Sequence, residues 1–317
     1  MRVYCDDLAV FEETDRRGLQ RLLMRVRLGQ HQLIVADPEA LIESEFFVQS
    51  VAAVDQAEVA ELLRRQAPTL SDRALDPAAR APGPRAELRP MSEVECTRED
   101  GEPVWVLDPS TIGEWAEAPL ILVLEDSNDW EFVEAVARIY EVPTVLAAKK
   151  LRFLQCDPRG GKGNVARAVE AAARSDRMFV LMDSDRTALM DVCRADLDKL
   201  MDKAQRKVKD LCKKSPNVYP FILNKREVEN YLPRAILQAG CVAPERRRQF
   251  RAWDRLPAEE KDVLDMAEHF GDAPKKRWLM ARIVALKDPV FGLGRAELEE
   301  RTGTELAELA HKLESWL

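Results

Sequence analysis

Three short, mainly apolar runs limit the fold more than any other part of the chain: "PLILVL" at 119–124, "MFVLM" at 178–182 and "NVYPFIL" at 217–223. A strand covered on both faces reads as a continuous apolar run, whereas a half-exposed strand alternates. Between the runs lie helical patterns. "DWEFVEAVARIYE" (129–141) places apolar residues at 130, 132, 133, 136, 137 and 140, a stripe at helical spacing. "GNVARAVEAAAR" (163–174) predicts a second helix. Residues 192–214 predict a long amphipathic third, with Leu197, Leu200, Ala204, Val208 and Leu211 on one side. Strand and helix alternating in this rhythm require a mostly parallel α/β sheet. Pro220 cannot donate to a ladder, so the third run belongs at an edge or carries an irregularity.

The flanks read differently. Residues 1–66 mix strand-like runs (Arg2–Tyr4, Gln32–Val35) with helical patterns (Arg16–Val26, Val51–Arg65), a small N-terminal α/β domain. Prolines at 68, 77, 82, 84 and 90 predict a linker or long surface loop over 67–92. A hairpin is expected at 93–108, opening a catalytic domain over 93–235. A helical region at 236–317 follows, with breaks near 240–244, 271–274 and 288–294.

Composition excludes several classes. At 317 residues and with about a third of them charged, the chain suits a folded protein of roughly two domains. No apolar stretch approaches the roughly 18 residues of a membrane span, and no signal core opens the chain, so a cytoplasmic location is expected. The cysteines (5, 96, 156, 193, 212, 241) are scattered, and only three histidines are present, which argues against zinc and a disulfide framework. The net charge of −8 excludes a general nucleic-acid coat but not a local basic groove.

In open parallel sheets, function gathers at the carboxyl ends of the strands. Glu125, Asp126 and Asp129 follow the first run, Asp183 and Asp185 the second, and Glu227 and Glu229 the third. Single acids at such positions commonly cap helices. Three acidic ends in one sheet are better explained by a shared cation, since crowded carboxylates do not all ionise unaided. An oxygen-rich set without imidazole or thiol suits Mg²⁺ or Mn²⁺, and such ions serve phosphodiester cleavage.

"LILVLEDSNDWEFV", "FVLMDSDRT" and "KREVENYL" together resemble the motifs of TOPRIM nucleases, above all those of the OLD (overcoming lysogenization defect) family and related phage-defence effectors. The resemblance covers roughly 118–235. It implies a Rossmann-like TOPRIM core and an Mg²⁺- or Mn²⁺-dependent nuclease holding two ions. Glu125, Asp183 and Asp185 would hold one ion. Asp129, with Glu227 or Glu229, would help place the second, Glu229 being favoured. Lys225 would stabilise transition-state charge, with Lys162 and Lys150 as rivals. The implied partners are a nucleic-acid substrate and a further defence component such as an ATPase, since this chain shows no Walker A motif before the domain. A homo-oligomer is compatible. A non-catalytic scaffold on the same fold is the second reading, and primase and topoisomerase rank lower. Asp126 departs from the pattern, standing where a glycine often follows the first glutamate.

Three further stretches carry weaker readings. "DPRGGKGNVAR" (157–167) lacks the GxxxxGK[ST] phosphate loop and is expected to be a flexible turn opening a helix toward the site. Asp6, Asp7 and Glu43 faintly resemble the opening of a PIN-type nuclease. The basic clusters "ERRRQFR" (245–251) and "KKRWLMAR" (275–282) surround Phe250 and Trp278, as either nucleic-acid grips or packed helices.

Overall fold

The computed structural model describes residues 1–7, 16–66, 83–89, 93–185, 203–273, 276–291 and 295–317. Most of the proline-rich stretch and the start of the helix expected over 192–214 lie outside these residues. The structure is α/β, with two mostly parallel sheets. The second sheet contains β6 (Leu120–Leu124), β7 (Leu154–Pro158), β8 (Arg177–Met182) and β9 (Val218–Ile222). All four are parallel, in the order β7-β6-β8-β9. Every residue of β8 is buried, as its unbroken apolar run demands of an inner strand. Pro220 lies in β9, at the sheet edge. The sequence reading missed β7, whose "LQCDP" is a mixed pattern on the opposite edge.

Helices Asp129–Ile139, Pro143–Lys150, Lys162–Ala171 and Lys203–Lys214 connect or flank these strands. One face of the sheet packs Val123, Val180 and Met182 against Val165, Val169 and Val208. The other joins a larger core that reaches the first sheet and the C-terminal helices.

That first sheet is ordered β2-β1-β3-β5-β4, with β1 Arg2–Cys5, β2 Gln32–Val35, β3 Arg85–Leu88, β4 Glu95–Glu99 and β5 Glu102–Leu107. Two expectations are corrected here. The stretch 67–92 is not all linker, because β3 is the central strand of the sheet. Its charges disguise it. Arg85 and Glu87 are buried and paired with each other, with Glu99 and with Arg89. The hairpin at 93–108 exists, but it hydrogen-bonds to β3 and completes the first sheet rather than opening the second.

Aromatic packing joins the two sheets. Trp105 of β5 meets Trp115 at 5.8 Å and Trp316 at 5.7 Å, and Trp316 in turn meets Phe179 of β8 edge-on at 6.4 Å. The Trp105 indole N–H donates to the Arg174 carbonyl. Trp105→Ala is expected to lower stability by about 3–5 kcal/mol, the range for a large buried aromatic, as a reduced urea midpoint. An unchanged midpoint would exclude this ring as the link between the sheets.

Candidate metal and phosphate site

The chain leaves β6 for β7 on one side and returns across it to β8 on the other, so the strand order reverses between β6 and β8. A crevice at such a point is where ligands bind in open α/β sheets. Glu125 follows β6 and Asp183 follows β8, one on each side of it.

Local hydrogen bonds fix each acidic segment. Past β6, Asp126 folds an Asx turn by accepting from the Asn128 N–H at 3.0 Å. Asp129 opens its helix and accepts from the Asp126 N–H at 2.8 Å. The glycine-rich turn closes on the same place: Gly160 and Gly161 donate to the Glu125 carbonyl at 2.9 and 3.1 Å. Both glycines have positive φ, 67° and 116°, which suits residues without Cβ. Past β8, Asp183 accepts from the Val228 N–H at 3.1 Å. Asp185 donates its N–H to the Arg226 carbonyl at 3.0 Å, and Ser184 Oγ donates to the Lys225 carbonyl at 2.5 Å. These bonds continue the β8–β9 pairing beyond the strands and carry the third motif to the second.

The third motif is a 3₁₀ turn, Val228–Tyr231, capped reciprocally by Glu227 and Asn230. Glu227 is extended at the cap. The carboxylates of Glu227 and Glu229 reach the same amine, Lys276 Nζ, at 3.0 and 3.1 Å. Both carboxylates therefore lie within reach of one cation, the Lys276 ammonium.

Glu125, Asp129, Asp183, Glu227 and Glu229 form one electrostatic cluster. The pKa of Asp183 lies well above the ordinary carboxyl value, through burial first and then the charges of Asp129, Glu229, Glu125 and Glu227. Burial, with Asp126 and Glu229, pushes Asp129 up to about 6 against the pull of its backbone bond and Lys276. Glu229, only 2 % exposed, is raised by burial and by Glu227, against Lys276. Burial disfavours the Lys276 charge, but Glu229 and Glu227 outweigh it and raise its pKa.

Asp185 stands apart, with positive φ (48°) and an ion pair to buried Lys162 at the head of helix Lys162–Ala171. Lys225 is buried, but its amine is held by Asp262 and lies 5.5 Å from the Tyr231 ring centre. Lys150 is exposed. Asp6, Asp7 and Glu43 are exposed on the first sheet's side. Phe250 is buried. Trp278 is flanked by Arg246 at 4.8 Å and Arg282 at 5.9 Å, which fits helix packing.

Sequence reasoning missed Lys276, 47 positions beyond Glu229. Its basic neighbours were visible, but nothing local ties it to the acids. It also missed the braces of the third motif. Asn230 donates to the carbonyls of Lys261 and Leu264 at 2.7 and 3.0 Å. Glu305 accepts from the Asn224 N–H at 2.6 Å and from the Tyr231 hydroxyl at 2.8 Å.

Lys276→Met leaves Glu227 and Glu229 facing each other inside the fold. Stability at pH 8 should fall by about 2 kcal/mol, below the range for a fully buried pair because the amine is one-third exposed. Urea denaturation measures this. No loss would mean that the amine does not balance the acids.

All donors in the cluster are oxygens, which matches a hard divalent cation. Glu229 Oε2 is buried without a hydrogen-bond partner among the described residues. With the side chains as they lie, however, no three carboxylate, imidazole or thiol groups among the described residues stand close enough to hold one ion.

Two solved structures are similar to this chain, both of the C-terminal region of the OLD protein of Xanthomonas campestris pv. campestris. One, phased with iodine, is 12% identical with a TM-score of 0.34 and covers 62% of this chain and 98% of that one. The other, phased with platinum, is 16% identical with a TM-score of 0.31 and covers 61% and 97%. No family model matches the chain, and no curated protein does. Among the described residues, no helix is long and apolar enough to cross a membrane.

Proposed function

We propose that this chain is a divalent-metal-dependent nuclease of the TOPRIM, OLD-like kind, acting on DNA or RNA in antiphage defence. The observation that carries the reading is the gathering of Glu125, Asp129, Asp183, Glu227 and Glu229 around the point where the strand order reverses. Asp129, Asp183 and Glu229, whose ionisation is opposed by burial and by neighbouring acids, favour a cation among them. The motif resemblance supplies the reaction class.

Glu125, Asp129, Asp183, Glu227 and Glu229 would hold Mg²⁺ or Mn²⁺, in two ions by that resemblance. The metal would neutralise phosphate charge and activate water. The chain's own groups prepare the rest. Val228 N–H fixes the Asp183 carboxylate. Asp185 holds the buried Lys162 ammonium beside the glycine-rich turn. Lys276 balances Glu227 and Glu229, and displacing its amine would leave both carboxylates to a metal ion. A partner such as an ATPase would supply any nucleotide control.

The test is incubation of the folded chain, alone and with its natural partners, with DNA and RNA panels in Mg²⁺, Mn²⁺ or EDTA. Metal-dependent cleavage is expected. Intact substrates throughout would sink the reading.

One observation favours a second reading, a scaffold subunit built on the same fold. Lys276 already pairs with two of the acids, and the side chains do not close on an ion as they lie. Mn²⁺ titration separates the two. A nuclease gains thermal stability from Mn²⁺ and loses the gain in Asp183→Asn, whereas a scaffold shows no gain.

A further inference from the structure

A cavity of about 210 Å³ lies between the two sheets, at the end of the second sheet away from the acids. Arg177, the first residue of β8, is only 4 % exposed and lines it. One nitrogen of its guanidinium donates to the Ala118 carbonyl, and the group lies 4.8 Å from the Trp115 ring centre. Its Nε and Nη1 have no hydrogen-bond partner, and no carboxylate pairs with it, among the described residues. A buried guanidinium left so is costly unless something anionic meets it. Arg25 adds positive charge nearby and is the second influence on Arg177 after burial.

Two other residues of the cavity lining also bury polar atoms without partners among the described residues. Gln30 uses its carbonyl oxygen to accept from Arg25 at 3.2 Å, while its Nε2 is buried without a partner among the described residues. His31, 2 % exposed, places Nε2 3.2 Å from the Ala116 carbonyl. A carbonyl only accepts, so Nε2 carries the proton and Nδ1, also unpartnered, presents a lone pair. Leu28, Ala148, Leu151 and Phe153 form an apolar wall. Glu314 is the one acidic side chain lining the cavity among the described residues, and the terminal residues Met1 and Leu317 line it too. Glu314 is 39% exposed and occupied by the Thr144 hydroxyl at 2.5 Å.

We propose that this cavity binds a small organic oxyanion, a carboxylate or phosphate monoester with an apolar body, held by Arg177 and Gln30 against the apolar wall. Arg177 Nε and Nη1 are charged N–H donors on separate edges of the guanidinium, and a charge-assisted bond from either would hold such a head. The volume lies below the roughly 300 Å³ where drug-sized pockets begin, so the ligand is small. The site is independent of metal and nucleic acid, since its residues lie outside the acid cluster.

Calorimetric titration of the full chain in EDTA, without nucleic acid, tests it with benzoate, phenyl phosphate, inorganic phosphate and benzyl alcohol. Benzoate or phenyl phosphate should bind, the better of the two naming the head group, and benzyl alcohol should not. Arg177→Met should weaken binding about tenfold or more, as loss of a charge-assisted contact does. Should that variant fail to fold, Ala147→Phe, placed on the exposed face of helix Pro143–Lys150 at the cavity, should block binding to the same degree. No heat from either organic anion would overturn the proposal. So would binding that survives in the folded variants, or inorganic phosphate binding as well as phenyl phosphate.

Discussion

Asp183→Asn should lower metal-dependent cleavage by about 10³-fold or more, the scale for removing one charge-stabilising group from a phosphoryl or acyl transfer site. The same substitution should raise stability in EDTA. The two outcomes share a cause. Asp183 is the carboxyl whose ionisation is most opposed by its surroundings, through burial and then Asp129, Glu229, Glu125 and Glu227. An amide of the same shape still accepts from the Val228 N–H, so the turn keeps its form while the repulsion goes. Circular dichroism establishes the fold, gel assays the rate, and urea titration the stability. A variant that cleaves like the parent would dismiss Asp183 as a ligand. One less stable than the parent would dismiss repulsion as the dominant force at this position.

In EDTA, stability should decline as pH climbs from about 4 towards neutrality, the reverse of ordinary acid denaturation. Asp129 titrates at about 6 when folded against 3.8 when free. Below pH 3.8 both states are protonated and the carboxyl is neutral at no penalty. Between 3.8 and 6 the unfolded chain releases its proton first, so each rise in pH favours unfolding. Two units correspond to roughly 3 kcal/mol for Asp129 alone. Asp183 adds to the decline, since burial and then Asp129 raise its pKa in the same direction. Mn²⁺ should flatten or invert the slope, because a cation binds the ionised form and so the folded state. Urea midpoints across this range, with EDTA and with Mn²⁺, measure both effects. A metal-free midpoint that rises steadily with pH would contradict the described cluster.

What the residue pattern revealed followed burial. β6 and β8 were legible because inner parallel strands are apolar on both faces, β9 because its edge run is still largely apolar, and the acids were legible because they follow those strands. β3 was hidden by Arg85 and Glu87, which read as surface residues but neutralise each other in the sheet. β7 was hidden by its mixed composition at an edge. Lys225 looked suited to the site from its place two residues before Glu227, yet Asp262 takes its amine. Lys276 supplies the charge instead, from a helix cap far along the chain. Sequence neighbourhood predicts which strand end a residue occupies. It does not predict which way the side chain turns, because long-range partners decide that.

The third motif is completed from behind. Asp262, Lys276 and Glu305 all come after the segment they brace. A ribosome that has delivered residues 119–235 has therefore made every acid of the cluster before the groups that shape it. Synthesis order alone keeps a nascent chain from assembling this centre until its last helices emerge.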